Sequence, residues 1–152
     1  MAKPSPALLR NVRLFSDLDT REIEHIARSF KQRRFPQGET VIKEGSGGAA
    51  FFVIESGEAT VTIGGEPRAT LGPGDYFGEI ALLDEGARIA TIVAATELVC
   101  HGLTLWEFRP LVEENGVIGW KLLQTLAKEL RTAEHALGSR EAENRQTERG
   151  PH

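Results

Sequence analysis

The sequence predicts an α+β domain that is mainly β, with helices at both ends. Three observations carry that prediction. Across residues 35–103 the chain breaks into short apolar or β-rich runs punctuated by Gly and Pro, the texture of a small β-barrel, roll or sandwich. Before and after this stretch, apolar residues recur at helical spacing, and a capping-box pattern stands at the start of a helix on each side. Finally, 152 residues that are 40% hydrophobic and 26% charged suit one globular domain with its own core rather than a disordered or fibrous chain.

Residues 1–6, with Pro4 and Pro6, are expected to be a flexible leader, and residues 7–138 a single domain. A short helix is expected over residues 7–12 and a longer one over 20–29, where Ile23, Ile26 and Ala27 share a face. Asp19 is its N-cap, and Glu22 completes the capping box. Strands are expected over 40–42, 50–55, 58–63, 68–71, 90–95 and 97–103. Pro36-Gln37-Gly38, Gly45-Ser46-Gly47-Gly48, Ser56-Gly57, Gly64-Gly65 and Gly72-Pro73-Gly74-Asp75 supply the turns between them. Thr104 and Glu107 stand in capping-box register for a helix over 104–113. A final helix over 116–137 is expected to stop at Gly138. Residues 139–152 carry charge without an apolar face and read as a disordered tail.

The net charge of −4 argues against a dedicated nucleic-acid binder, whose footprint is strongly basic. Basic Lys31, Arg33 and Arg34 read as a solvated edge without interleaved aromatics. The single cysteine, Cys100, follows apolar Leu98 and Val99 and reads as a packed core residue, which fits a reducing compartment. The first residues lack the apolar run of a signal peptide, and nothing approaches the roughly 20 apolar residues of a membrane span. The expected setting is therefore cytoplasmic, with no membrane partner. His25, His101, His135 and His152 are scattered without metal-ligand spacing, and no nucleophile with a matched His and acid can be assembled, so neither a metal site nor an enzyme is expected. The loop at Gly45 lacks the Lys-Ser/Thr ending of a P-loop and reads as a hairpin turn.

Charge patterning singles out one residue. Residues 44–115 hold 3 Lys or Arg against 12 Asp or Glu, and between Ala69 and Phe108 the only cation is Arg88. It follows Gly78-Glu79-Ile80-Ala81-Leu82, a segment compatible with a short helix whose first N–H groups would be open to an anion. Gly78 lets backbone come close to a ligand, and Arg88 offers a matching fork of donors. Glu79 would repel a phosphate, so its use would be to accept hydrogen bonds from a sugar hydroxyl. Together these groups describe a receptor for a nucleotide with one phosphate charge. The plainer alternative is that Arg88 pairs with Glu79, Asp84 or Glu85 as a structural ion pair.

At this point the residues resemble a known family, the cyclic nucleotide-binding domains of bacterial catabolite-activator-type regulators, protein kinase A regulatory subunits and cyclic-nucleotide-gated channels. Its phosphate-binding cassette reads approximately F-G-E-[LI]-A-L, a short spacer, then P-R-x-A-T-[VI]. The matches here are Phe77, Gly78, Glu79, Ile80, Ala81 and Leu82, then Arg88, Ala90, Thr91 and Ile92. Likeness extends over roughly residues 8–137, including Phe35-Pro36-Gln37-Gly38-Glu39 and Phe52-Val53-Ile54. The resemblance implies a jelly-roll-like double-stranded β-helix, a β-roll flanked by N-terminal and C-terminal helices.

It further implies that Arg88 binds the phosphate oxygens, helped by the N–H groups of Ala81 and Ile89. Glu79 would bind the ribose 2′-hydroxyl, with Gly78 and Ile80 shaping the sugar pocket and Ala90 belonging to the same cassette. Members that prefer cGMP often place Thr or Ser after the cassette Arg, where this chain has Ile89, so cAMP is favoured over cGMP. The family's Pro is Ala87 here, Asp84 and Glu85 add negative charge near the phosphate, and the adenine-reading pair of the last helix falls near Thr132 and Ala133.

The expected function is reversible binding of a cyclic nucleotide by a regulatory module that shifts its C-terminal helices to signal to an effector protein. The alternatives are a degenerate fold acting as an interaction domain, or a fragment of a transcription regulator, since Gly138 to His152 is too short for a helix-turn-helix. Leu123, Leu126, Leu130, Ala133 and Leu137 recur in steps of three and four, which serves packing on the chain's own roll or a homodimer through the last helix.

Overall fold

A computed structural model describes residues 3–48, 50–83 and 86–148. Its strands are β1 (Lys31–Phe35), β2 (Thr40–Ile42), β3 (Ala50–Ser56), β4 (Ala59–Ile63), β5 (Glu66–Leu71), β6 (Tyr76–Phe77), β7 (Thr91–Ala94) and β8 (Leu98–Thr104). They pair antiparallel into two four-stranded sheets, ordered β1-β8-β3-β6 and β2-β7-β4-β5. Helices α1 (Pro6–Arg10) and α2 (Thr20–Ala27) precede the sheets, and α3 (Leu105–Glu114) and α4 (Gly116–Glu148) follow them. Two 3₁₀ turns, Arg13–Phe15 and Glu79–Leu82, complete the described elements. This is the expected β-roll with helices at both ends. Among the described residues no helix is long and apolar enough to cross a membrane.

Central β3 explains why the fold has two cores. Its run Ala50-Phe51-Phe52-Val53-Ile54 does not alternate with polar residues, because both of its faces are buried. Phe52 and Ile54 face the second sheet with Phe35, Ile92, Leu98 and Cys100. Phe51 and Val53 face the helices, where Phe51 meets Phe15 and Phe30 edge to face at centroid distances of 6.0 and 5.9 Å. Cys100 is fully buried, and burial pushes its thiol up to about 12, as a packed residue requires.

Both expected capping boxes form, Asp19 with Glu22 at α2 and Thr104 with Glu107 at α3. Strand β1 has no apolar alternation to reveal it. Its Lys31, Gln32, Arg33 and Arg34 lie on an edge strand paired with β8, where charge discourages pairing with another chain. Helix α4 corrects an expectation. It does not stop at Gly138 but runs to Glu148, so residues 139–148 are helical where a disordered tail was expected; residues 149–152 lie outside the described residues. A mid-helix Gly costs about 1 kcal/mol, which the Arg, Glu, Ala and Gln that follow tolerate through their own helix propensity.

Polar ties dock α4 on the N-terminal elements. Lys121 Nζ lies 2.6 Å from Glu22, Thr125 donates to Asp17 at 2.6 Å, and Lys128 reaches the same carboxylate at 3.1 Å. The Thr125 hydroxyl, then Lys128, hold Asp17 below its ordinary carboxylate value. Asp17→Asn is therefore expected to loosen α4, read as faster amide exchange over residues 121–132 at pH 7. A carboxyl with a lowered value stabilises above its ordinary range and loses that effect on protonation. Wild type should accordingly loosen as pH falls below about 4, an acid step that the variant should lack.

Candidate functional site

Gly78 links β6 to the 3₁₀ turn Glu79–Leu82 at φ +81°, a conformation other residues adopt only with strain. A Cβ there would stand 2.8 Å from the Ala50 carbonyl oxygen and 2.7 Å from Arg88 Nη1. Leu82, fully buried among Phe51, Leu103 and Phe108, pins the far end of the turn to the helical core. The cassette is therefore anchored to β3 at one end and to the helices at the other.

Arg88 is held by the glycine-rich loop. Its N–H donates to Ser46 O at 2.9 Å, its carbonyl accepts from Gly45 N–H at 2.8 Å, and Gly47 pairs with Ala87 in an isolated bridge. The guanidinium donates through Nη2 to Ala50 O at 2.6 Å. It lies so close to Gly48 that a Cβ there would meet Nε at 2.5 Å. Burial lowers the Arg88 pKa from its ordinary value, although a guanidinium stays charged at neutral pH. Among the described residues no carboxylate lies within ion-pair distance of Arg88, whereas the other close pairs involve Arg13, Lys31, Arg34, His101, Arg109, Lys121 and Lys128. Asp84 and Glu85, named above as alternative partners, lie outside the described residues.

A cavity of about 240 Å³ opens beside this guanidinium, lined by Gly78, Arg88, Ile89 and Ala90 from the cassette and by Ile42, Val61, Phe77 and Ile92 from the strands. A partly desolvated cation at the end of an apolar cleft can take an anion attached to a flat, largely apolar body. Wider clefts of about 630 and 550 Å³ lie among the helices. The smaller one is the candidate site because it joins the guanidinium to the positive-φ glycine.

Of the residues singled out from the sequence, Gly78, Arg88, Ile89 and Ala90 come together here. Ile80 and Ala81 lie in the 3₁₀ turn, and their side chains are outside the described residues. Glu79 does not line the cavity. Its carboxyl is raised above the ordinary carboxylate value, by burial first and then by the Glu129 charge, with the Arg13 charge opposing. Thr132 and Ala133 line the 550 Å³ cleft with Arg13 and Ser16, away from Arg88. Gly48 and Ala50 were missed as site residues. Their signal was the glycine-rich loop itself, read as a hairpin turn although it also seats Arg88.

The model of the Cyclic nucleotide-binding domain family matches residues 32–115. The cAMP-dependent protein kinase regulatory subunit of Emericella nidulans is 46% identical over 94 residues, 60% of this chain and 23% of that protein. The Cyclic AMP receptor protein of Thermus thermophilus is 34% identical over 140 residues, 87% of this chain and 65% of that protein. The chain thus spans about a quarter of the kinase subunit and under two thirds of the Thermus protein. Among solved structures, the N-terminal domain of a transcriptional regulator from Streptomyces coelicolor A3(2) superimposes with a TM-score of 0.80 at 27% identity, covering 85% of this chain and 96% of that one.

Two glycine substitutions separate folding from seating of the guanidinium. Gly78→Ala, strained in φ and pressed on a backbone oxygen, should lose about 1–3 kcal/mol in urea unfolding. Gly48→Ala meets only the end of a flexible side chain, so stability should stay within about 0.5 kcal/mol while the Arg88 Nε–H resonance moves.

Proposed function

We propose a function from one premise: the chain belongs to the cyclic nucleotide-binding domain family. It binds a cyclic nucleotide reversibly, without chemistry, and acts as a regulatory module. The observation that carries this reading is the Arg88 guanidinium, seated between Gly48 and Gly78 at the end of an apolar cavity. On binding, Arg88 exchanges its bond to the uncharged Ala50 O for stronger bonds to an ionised phosphodiester, helped by the Ala81 and Ile89 N–H groups. Gly78, with no side chain, leaves room for the sugar, and Glu79 accepts the ribose 2′-hydroxyl once its carboxylate turns toward the cavity, which it does not line here.

Ile89 supports cAMP over cGMP. It is 83% exposed beside Arg88 and offers no hydroxyl to a guanine amine. The output is a population shift in which the cassette turn tightens and α3 and α4 close over the base, with a coupling of about 1–3 kcal/mol. The effector is a protein or domain that reads the position of α4, or a second copy of the chain. Exposed Leu123, Leu130 and Leu137 recur every seven residues on α4, which supports a homodimer through that helix.

A second reading has one observation in its favour. Because Glu79 does not line the cavity, the module could keep the fold as an interaction domain without the ligand. Calorimetric titration separates the two. Wild type should bind cAMP more tightly than cGMP, and Arg88→Ala should weaken cAMP by about 10- to 150-fold, the value of a charged hydrogen bond. Ile89→Thr should narrow the gap by raising cGMP affinity about tenfold. Equal, weak binding by wild type and Arg88→Ala would establish the interaction domain instead.

A further inference from the structure

The junction of α3 and α4 is one residue whose hydrogen-bonding groups are almost all committed. Asn115 ends α3, its N–H donating to Val112 O at 3.2 Å, and opens α4, its carbonyl accepting the Gly119 N–H at 3.2 Å. Its side-chain nitrogen donates to Leu111 O at 2.8 Å and lies 3.2 Å from His25 Nε2. His25 belongs to α2, 90 residues away along the chain. One amide thus joins three helices.

The bond to Leu111 decides the chemistry of the contact with His25. Turned the other way, the amide would set its oxygen against the Leu111 carbonyl oxygen, so the nitrogen with its two hydrogens faces both partners. An amide nitrogen donates and does not accept. His25 Nε2 must therefore accept, which requires a neutral ring with its hydrogen on Nδ1. A protonated ring carries N–H on both nitrogens and sets donor against donor. The same ring stands in the last turn of α2, where the open carbonyls of the helix end favour a positive charge.

The pair lines the cleft of about 630 Å³, which opens it to solvent. Arg21, Glu24 and Arg28 of α2 and Glu114 of α3 line the same cleft and carry both signs. Glu22, the remaining acid there, is held by Lys121 of α4 at 2.6 Å. On the α1 side, Arg10 is bound to the Thr20 hydroxyl at 2.6 Å. Charge around the ring is mixed, and the hydrogen-bonding group that the ring touches is the Asn115 amide.

We propose that His25 and Asn115 form a pH-sensitive clasp, which ties α2 to the α3–α4 junction while the imidazole is neutral and lets go when it is protonated. The clasp is complete above the ordinary histidine range and is lost as pH falls through it. Helices α3 and α4 carry the proposed output, so the clasp sets how firmly their junction is held, whatever occupies the ligand cavity.

The test is amide exchange in the full, ligand-free chain, corrected for intrinsic rates, between about pH 8 and pH 5.5, which brackets an ordinary histidine and stays above the acid step of Asp17. Exchange from Gly119 to Leu122 should quicken about 2- to 10-fold at the acid end, the value of one neutral hydrogen bond. His25→Gln keeps an acceptor that does not titrate and should hold the slow rate throughout, whereas Asn115→Ala should exchange fast at both ends. Nitrogen NMR of the wild-type ring at pH 8 should place its hydrogen on Nδ1, a readout that needs no variant. A hydrogen on Nε2 at pH 8, a wild-type rate indifferent to pH, or a step that survives in His25→Gln overturns the inference. The cAMP titration decides the proposed function separately, since none of these readings involves the ligand.

Discussion

The rest of the site depends on how one guanidinium is stored. Arg88 donates to a main-chain carbonyl at 2.6 Å between two glycines, and a methyl group on either glycine would collide with it. A bond to a neutral carbonyl in a partly buried place satisfies a cation without neutralising it. The charge is thereby kept available for a stronger acceptor. An ion pair with a neighbouring carboxylate would have kept Arg88 equally well ordered but would have to be broken before an anion could bind.

The acceptor that stores Arg88 is not an incidental choice. Ala50 opens β3, the strand buried on both faces, so the carbonyl belongs to the strand that both cores share. Phe51 faces the helices with Phe15, Phe108 and Leu82, and Phe52 faces the second sheet.

Helix α4 is held mainly by charge over its middle turns and by apolar packing at its start, where Ile118 and Leu122 join the helical core. Its ties at Lys121, Thr125, Lys128 and Glu129 all reach the segment from Arg13 to Glu22. Such contacts exchange for water at small net cost. Beyond them the helix carries exposed Leu130 and Leu137, apolar surface that the described residues leave uncovered.

The roll, its two capping boxes and the singling out of Arg88 were legible in the linear chain because each depends on local chemistry. Gly and Pro mark turns, Asp19 and Thr104 satisfy helix-start donors a few residues away, and Arg88 stands out as the one cation in an acidic stretch. Strand β1 was not legible, since Lys31-Gln32-Arg33-Arg34 becomes a strand only through the ladder that β8 provides. Helix α4 was read too short, because Gly138 looks like a stop unless the propensity of the residues after it is added. The position of Glu79 outside the cavity lining, the seat offered by Gly48 and Ala50, and the placement of Thr132 and Ala133 in a different cleft from Arg88 were decided only in three dimensions. Each depends on groups tens of residues apart, and no spacing along the chain records which of two competing partners a charged side chain will face.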